Sequence, residues 1–304
     1  MENTRMKDNL LLIDANSLIH RAYHALPPFT SPEGKPTGAL YGLASILIKI
    51  LREGLLSGDV PKYIAAAFDT PEPTFREKEY EKYKITRPPT AKDLVGQLQE
   101  AKKLMSLFGI KAFELPGWEA DDIIGTLAER FKVSEEVGRV IIFSGDLDTL
   151  QVVENDKVVA LVPQKGISNT VLYNEAAVVE RFGVAPKLLT DYKGLVGDKS
   201  DNIPGVPGIG PKTASGIINK FGSLEELYKE MGEVGLTDIK LQNKLREFKD
   251  QAILSKKLAT IDRKAPVTLK LSETLLPPKL NTEGITAYFK SLGFNSLIER
   301  LTKL

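Results

Sequence analysis

The stretch "WEADDIIGTLAERF", residues 118–131, places three carboxylates at the start of an amphipathic helix. Glu119, Asp121 and Asp122 lie so close in sequence that they repel one another if the helix packs against a core. Acids in the first turn of a helix interact favourably with its dipole, which is the ordinary explanation of such a pattern. That explanation does not cover the acids at the ends of other predicted elements.

Strand-like and helical patterns alternate on both sides of this stretch. The predicted strands are "NLLLID", "KYIAAAFD" and "RVIIFSGD", and the predicted helices include "ANSLIHRAYHAL", "GALYGLASILIKILREG" and "AKDLVGQLQEAKKLMSLFG". This alternation is typical of a parallel sheet with helical crossovers, and the continuous apolar strands indicate burial on both faces. The predicted fold class is α/β, with a central, mostly parallel sheet flanked by helices and a helical region beyond about residue 184.

Three of the predicted strands lead into an aspartate: Asp14, Asp69 and Asp146. Because ligands bind outside the carboxyl ends of strands in open α/β sheets, we expect these acids to converge on one crevice. Nine acids lie at strand ends, loop tips or the first turn of the opening helix, namely Asp14, Asp69, Glu119, Asp121, Asp122, Asp146, Asp148, Asp198 and Asp201. So many like charges require cations, and oxygen ligands favour Mg²⁺, with Mn²⁺ as a substitute. Two such ions can activate and clamp a phosphodiester.

Composition limits the alternatives. The 304 residues include no cysteine, which excludes disulfides, thiol catalysis and zinc–thiolate sites. The first residues do not resemble a signal peptide and no run reaches transmembrane length, so we expect a cytoplasmic protein without a membrane partner. Residues 184–304 contain 19 basic and 14 acidic residues, and the preceding residues contain 22 and 26, so the second half is the more basic.

The glycine-rich stretch "GVPGIGPKTA", residues 205–214, matches neither common phosphate loop. In a Walker loop the lysine directly follows the second glycine, but here Pro211 lies between Gly210 and Lys212. Thr213 stands where a dinucleotide fingerprint has its third glycine. A helix-hairpin-helix at about 203–221 remains, in which Gly208 and Gly210 form the turn and the next helix presents its N–H groups to a DNA phosphate. Lys212 and Thr213 would contact the same phosphate. An ordinary turn between two helices is the alternative.

The most irregular stretch is "TPEPTFREKEYEKYKITRPPTAKD", residues 70–93. Its mixture of cations and aromatic side chains can follow a single-strand backbone and stack on bases. Its prolines and glutamates argue against a persistent helix, so we expect a mobile insertion that DNA orders.

Taken together, these motifs resemble the 5' nuclease family, in particular the N-terminal 5'-3' exonuclease domain of bacterial DNA polymerase I. The resemblance rests on "LLIDANSLIHRAYHALPP", "PTGALYGL", "AFDTPEPTFREKEYEKYKITRPPT", "WEADDIIGTLA", "SGDLDTLQ", "GDKSDNIPGVPGIGPKTA" and "YFKSLGFNSL". It implies a PIN-like or resolvase-like nuclease core over residues 1–183, with a helical arch at 70–93, and a DNA-binding region over 184–304. The implied activity is 5'-3' exonuclease and flap endonuclease cleavage by two metal ions, in removal of primers and 5' flaps during replication and repair.

The resemblance also implies the roles of individual residues and partners. The nine acids would be metal ligands, with K⁺ at the helix-hairpin-helix. The implied substrates are DNA with 5' flaps, nicks or RNA primers, acted on by a monomer beside a DNA polymerase in cis or in trans. The implied catalytic cations are Lys84, Arg87 and Arg21, and the implied DNA contacts are Arg76, Tyr83, Lys193, Gly208, Gly210, Lys212 and Thr213.

Two departures from the family pattern bear on DNA affinity and rate. Leu147 replaces a usual lysine and Ala15 replaces a usual glycine. Two other functions stay open, a dehalogenase-like phosphatase and a non-catalytic structure-specific DNA-binding module. The phosphatase needs a second aspartate at the position of Asn16. The sequence also leaves open whether the chain is a stand-alone exonuclease or a fragment of a longer polymerase.

Overall fold

A computed structural model describes residues 8–56, 58–164, 169–231 and 238–304. Its sheet has six strands in the spatial order β3-β2-β1-β4-β5-β6. Every neighbouring pair is parallel except β5 and β6, which confirms the mostly parallel sheet. The strands are β1 (Asp8–Asp14), β2 (Tyr63–Phe68), β3 (Lys111–Glu114), β4 (Val137–Phe143), β5 (Val158–Pro163) and β6 (Thr170–Tyr173).

Helices flank the sheet and make up the regular structure beyond residue 184 among the described residues, as predicted. Those before residue 184 are α1 (Ala15–Ala25), α2 (Gly38–Glu53), α3 (Phe75–Glu79), α4 (Lys92–Leu107), α5 (Ala120–Phe131) and α6 (Glu175–Phe182). Those after it are α7 (Leu189–Val196), α8 (Pro211–Phe221), α9 (Leu224–Glu230), α10 (Ile239–Glu247), α11 (Lys249–Ala259), α12 (Thr282–Leu292) and α13 (Asn295–Leu301). Short 3-10 helices cover Asp148–Val152, Pro186–Leu188 and Leu271–Thr274.

Strand β1 lies in the middle of the sheet and is buried on both faces. Its side chains alternate, so Leu10 and Leu12 belong to the apolar core that includes α5, whereas Leu11 and Ile13 belong to the core that includes α1, α2 and α4. The second core also contains residues of α12 and α13. The end of the chain therefore packs on the sheet of the first half, and the predicted division at residues 183 and 184 stays a prediction.

The order of the strands brings the predicted acids to one edge. Asp14 ends β1, Asp69 directly follows β2, and Asp146 follows β4, and these three strands are neighbours in the sheet. Helix α5 begins at the same edge, with Glu119 as its N-cap. The backbone N–H of Ala120, its first residue, donates to the carboxylate of Asp69 at the end of β2 at 2.7 Å. Within the described ranges, no helix is both long and apolar enough to span a bilayer.

Candidate active site

Asp121 lies at the centre of the acidic crevice. Burial raises the pKa of its carboxyl well above the usual value, and the neighbouring charges of Asp146, Asp14, Asp148 and Glu119 raise it further. Its Oδ1 atom is buried and has no hydrogen-bond partner. A buried carboxylate oxygen without a donor is energetically costly, so this atom requires a proton or a cation.

Two further acids of the crevice have raised pKa values. Burial raises the pKa of Asp14 to about 6, although hydrogen bonds from Ser144 and Ser17 oppose the shift. Burial and the charge of Asp146 raise the pKa of Asp148 to about 7, opposed by the ammonium group of Lys193. The crevice therefore holds more negative charge than its own hydrogen bonds stabilise.

Cationic side chains interleave with the acids. Lys193 donates to Asp148 and, at 2.8 Å, to Asp198, so it lies in the crevice between two predicted metal ligands. Its predicted contact with DNA stays a prediction, and the contacts that the structure shows are with the two carboxylates. Lys84 donates to Glu119 at 2.6 Å and lies 3.9 Å from Asp201.

The other two predicted catalytic cations border the same crevice. Arg87 donates to Asp201 through Nη2 at 2.5 Å, and its side chain is 46% exposed. Arg21, on α1, donates to the carbonyl of Gln164 at 2.5 Å and lines a cavity of about 500 Å³ together with Arg87, Asp146 and Asp148. A phosphate group entering this cavity would meet both arginines.

The donor set fits a hard divalent cation. Eight of the predicted ligands interact electrostatically with one another, all of them offer oxygen atoms, and the buried Oδ1 atom of Asp121 has no donor. Within the described part of the chain, no three acidic or histidine side chains stand in the arrangement of a ready-made metal cage. The acids pair with lysine and arginine instead, so metal binding requires these contacts to be rearranged. The eight are Asp14, Asp69, Glu119, Asp121, Asp146, Asp148, Asp198 and Asp201.

The structure corrects the prediction for Asp122. Its side chain is fully buried, and each carboxylate oxygen accepts two hydrogen bonds. Oδ1 accepts from Arg76 and from the backbone of Asp262, both at 2.7 Å, and Oδ2 accepts from Arg76 at 2.7 Å and from the backbone of Glu119 at 3.0 Å. No lone pair is left for a metal, so the ordinary role of an acid in the first helical turn accounts for Asp122.

Two predicted DNA contacts are corrected as well. Arg76 is only 2% exposed, and its guanidinium is engaged by Asp122 and by the carbonyls of Leu258 and Thr260. Tyr83 is 4% exposed, and its hydroxyl lies 3.2 Å from Asp201 and 3.3 Å from Glu119. Neither side chain presents a surface on which DNA could bind or a base could stack.

The segment 70–93 folds against the crevice. A capping box between Thr74 and Glu77 starts the five-residue helix α3. The following turn docks on the loop at 200–202, where the backbone N–H of Lys84 donates to the carbonyl of Asp201 at 2.9 Å. Asn202 donates to the carbonyl of Lys82 at 2.7 Å. The predicted mobility of the segment stays a prediction.

The glycine-rich turn has the predicted local geometry. Pro211 is the first residue of α8, and Gly210 is its N-cap. Gly208 has a φ of +76°, a left-handed conformation that glycine adopts without strain. Gly208, Gly210, Lys212 and Thr213 are all exposed. The first turn of α8 is therefore accessible to a phosphate, and its contact with DNA stays a prediction.

The Gly210→Val variant tests this contact. A Cβ at Gly210 meets no atom of the protein within 4 Å, and its backbone is extended, so the variant should fold normally. We expect duplex binding to weaken about tenfold whatever the base sequence, because the side chain separates the backbone from the phosphate. Fluorescence anisotropy with two unrelated duplexes measures the loss. Gly216→Val, on the exposed side of α8 with equal space, is the control, and similar affinities for both variants would contradict the contact.

The acidic edge of the sheet, the cations beside it and the exposed helix start are features expected of a nuclease. Comparison with known families agrees. The N-terminal resolvase-like domain of the 5'-3' exonuclease family matches residues 9–183, and the C-terminal SAM fold of that family matches residues 184–282. The chain belongs to the 5'-3' exonuclease family.

Curated relatives and solved structures support this assignment. DNA polymerase I of Bacillus subtilis (strain 168) is 43% identical over 296 residues, which are 97% of this chain and 32% of that protein. The thermostable DNA polymerase I of Thermus thermophilus is 37% identical over 292 residues, 96% of this chain and 33% of that protein. The chain thus spans about a third of the length of these relatives.

Two solved structures show the same fold. T5 5'-exonuclease bound to divalent zinc ions aligns with a TM-score of 0.66 at 20% identity, covering 97% of both chains. The catalytic core of Rad2 in complex with DNA substrate aligns with a TM-score of 0.64 at 18% identity, covering 97% of this chain and 93% of that one. These alignments confirm the predicted fold class across nearly the whole chain.

Proposed function

We propose that the chain is a structure-specific 5' nuclease that hydrolyses DNA phosphodiesters at 5' flaps, nicks and RNA primers, as in replication and repair. The observation that carries the proposal is the convergence of eight carboxylates with Lys84, Arg87 and Arg21 in one crevice. The exposed start of α8 supports duplex binding beside it.

We assign the metal ions as Mg²⁺, held by the eight acids that face the crevice. Bound there, two divalent ions supply Lewis-acid activation of the phosphodiester. The protein's own cations have a separate task, since Lys84, Arg87 and Arg21 can hold the negative charge of the scissile phosphate. One chain supplies all of these side chains, which supports a monomer acting beside a polymerase in cis or in trans.

Two finer assignments belong to the same proposal. We propose that K⁺ binds at the exposed turn around Gly208. A comparison of duplex binding in potassium and in lithium salts tests this site. With chromosomal DNA as the substrate, we expect the protein to act in the cytoplasm.

A 5'-labelled flap substrate tests the function directly. We expect cleavage near the junction with Mg²⁺ and none when EDTA removes the metal, because the crevice then has no Lewis acid. Thermal denaturation should show a higher Tm with Mg²⁺ than with EDTA, since an ion that binds only the folded state stabilises it. Flap binding without cleavage would favour the DNA-binding module. Hydrolysis of small phosphate monoesters but not of the flap would favour the phosphatase.

A further inference from the structure

Arg76 joins three parts of the chain that are far apart in sequence. It precedes the turn that carries Lys84, and its guanidinium holds Asp122 on α5 through two parallel hydrogen bonds of 2.7 Å. The same guanidinium donates to the carbonyls of Leu258 at 3.0 Å and Thr260 at 2.7 Å. Burial alone would lower the pKa of Arg76, but its hydrogen bonds to Asp122 and the charge of that residue raise it above its usual value.

The segment 258–262 that accepts these bonds is firmly fixed. Gln151, which is 4% exposed, donates to the carbonyl of Ala259 and accepts from the backbone of Ile261, both at 3.0 Å. Thr126 of α5 donates to the carbonyl of Asp262 at 3.1 Å. At Gly125 of α5, a Cβ would lie only 2.4 Å from Ile261, so helix and segment are in close contact. Arg76 therefore binds to a rigid support.

The pair acts on the crevice through the first turn of α5. Asp122 accepts a hydrogen bond from the backbone N–H of Glu119. Asp121, which precedes Asp122 in the chain, faces the other acids of the crevice. A shift of Asp122 would therefore move Glu119 and Asp121 together, and a shift of Arg76 would move the turn that carries Lys84. Displacement of such groups by about 1 Å can cost about a hundredfold in rate.

We propose that Arg76 is a positioning residue, whose saturated contact with Asp122 and with the carbonyls at 258 and 260 sets the alignment of Glu119, Asp121 and Lys84. This proposal rests on the proposed nuclease function. It assigns Arg76 no contact with DNA and Asp122 no contact with metal. The buried pair ties the 70–93 segment to the first turn of α5, which carries Asp121 and is capped by Glu119.

Arg76→Lys tests the proposal, because lysine keeps the charge but cannot form two parallel bonds and reach both carbonyls. We expect Mg²⁺ affinity, measured by calorimetry, to fall about tenfold, and the single-turnover rate on a 5' flap to fall by about 10- to 100-fold. Flap affinity in EDTA, measured by anisotropy, should stay within about twofold of the parent. Amide exchange at Glu119 and Asp262 should accelerate, since both N–H groups bind Asp122.

Controls separate positioning from simple loss of folding. Arg263→Gln removes an arginine that holds Gln151 beside the same segment without touching Asp122, and it should keep the parent Mg²⁺ affinity. If Arg76→Lys is poorly folded, its measurements are made at reduced temperature and corrected for the folded fraction by circular dichroism. Weaker flap binding in EDTA with unchanged Mg²⁺ affinity would overturn the proposal in favour of a DNA contact, and parent-like values throughout would also overturn it. Absence of flap cleavage by the parent would refute the nuclease function, whereas amide exchange would still report on positioning.

Discussion

Asp121→Asn and Asp146→Asn are each expected to reduce single-turnover flap cleavage about a thousandfold or more at saturating DNA and Mg²⁺. Each substitution keeps the shape of the side chain and removes one negative charge from the crevice. For Asp121 the substitution also replaces the carboxylate whose buried Oδ1 atom has no donor. In EDTA the free energy of unfolding should hold or rise, because repulsion among the acids is relieved. Quenched-flow cleavage and urea denaturation measure the two quantities.

Asp122→Asn is the matched control, since it makes the same change one residue further along α5. The asparagine leaves the buried guanidinium of Arg76 without its counter-charge, so stability should fall by about 3–5 kcal/mol. Asp121→Asn should therefore leave the free energy of unfolding unchanged or raise it, whereas Asp122→Asn should lower it. Both variants should lose activity. Near-normal cleavage by Asp121→Asn or Asp146→Asn would contradict the assignment of the crevice as the metal site. Unchanged stability of Asp122→Asn would contradict the buried pair.

The sequence predicts the framework of the site because its signals are local. β1, β2 and β4 are continuous apolar runs that lead into an aspartate, and the parallel order of the strands then brings Asp14, Asp69 and Asp146 together. β3, β5 and β6 are not identified in the sequence analysis. β3 and β6 are only four residues long and only partly buried, so they carry little of the pattern that marks a central strand.

The different environments of Asp121 and Asp122 could not be predicted in the same way. Both are acids in one helical turn, and only the rotation of about 100° per residue sends one to the crevice and the other to the core. A weak signal for the buried position of Asp122 exists in the sequence. Gly125 and Thr126 lie three and four residues after it, on the same face of the helix, and indicate that this face closely contacts another segment. The contacting segment, residues 258–262, is about 140 residues away, and nothing local identifies it.

The same reason explains the corrected predictions for Arg76 and Tyr83. In the sequence they belong to a run of cations and aromatic side chains that matches a single-strand binding surface. Their burial depends on partners from the start of α5, the loop at 200–202 and the segment 258–262. Lys84 is different, because it lies in the same run and yet reaches the crevice, where it donates to Glu119.

Lys84→Ala is expected to reduce the single-turnover rate about 100- to 1000-fold while flap affinity changes less than about threefold. The ammonium group lies beside Glu119 and Asp201, where it can stabilise charge that develops on the scissile phosphate, so its loss acts on chemistry more than on binding. Rapid-quench cleavage and anisotropy give the two numbers. Lys82→Ala is the control, because Lys82 is exposed on the same turn, and it should keep the parent rate.

The docked turn also predicts the order in which substrate enters. The backbone N–H of Lys84 donates to the carbonyl of Asp201, and the side-chain amide of Asn202 donates to the carbonyl of Lys82, so the segment docks on the loop at 200–202. We therefore expect a single strand that reaches the metals to pass beneath this turn. A streptavidin block placed on the 5' end before the enzyme is added should therefore suppress cleavage. The same block added after the enzyme has bound in Ca²⁺, with cleavage then started by Mg²⁺, should leave the rate near that of the unblocked flap. Equal cleavage in both orders of addition would exclude threading and leave the turn as a clamp on the surface of the DNA.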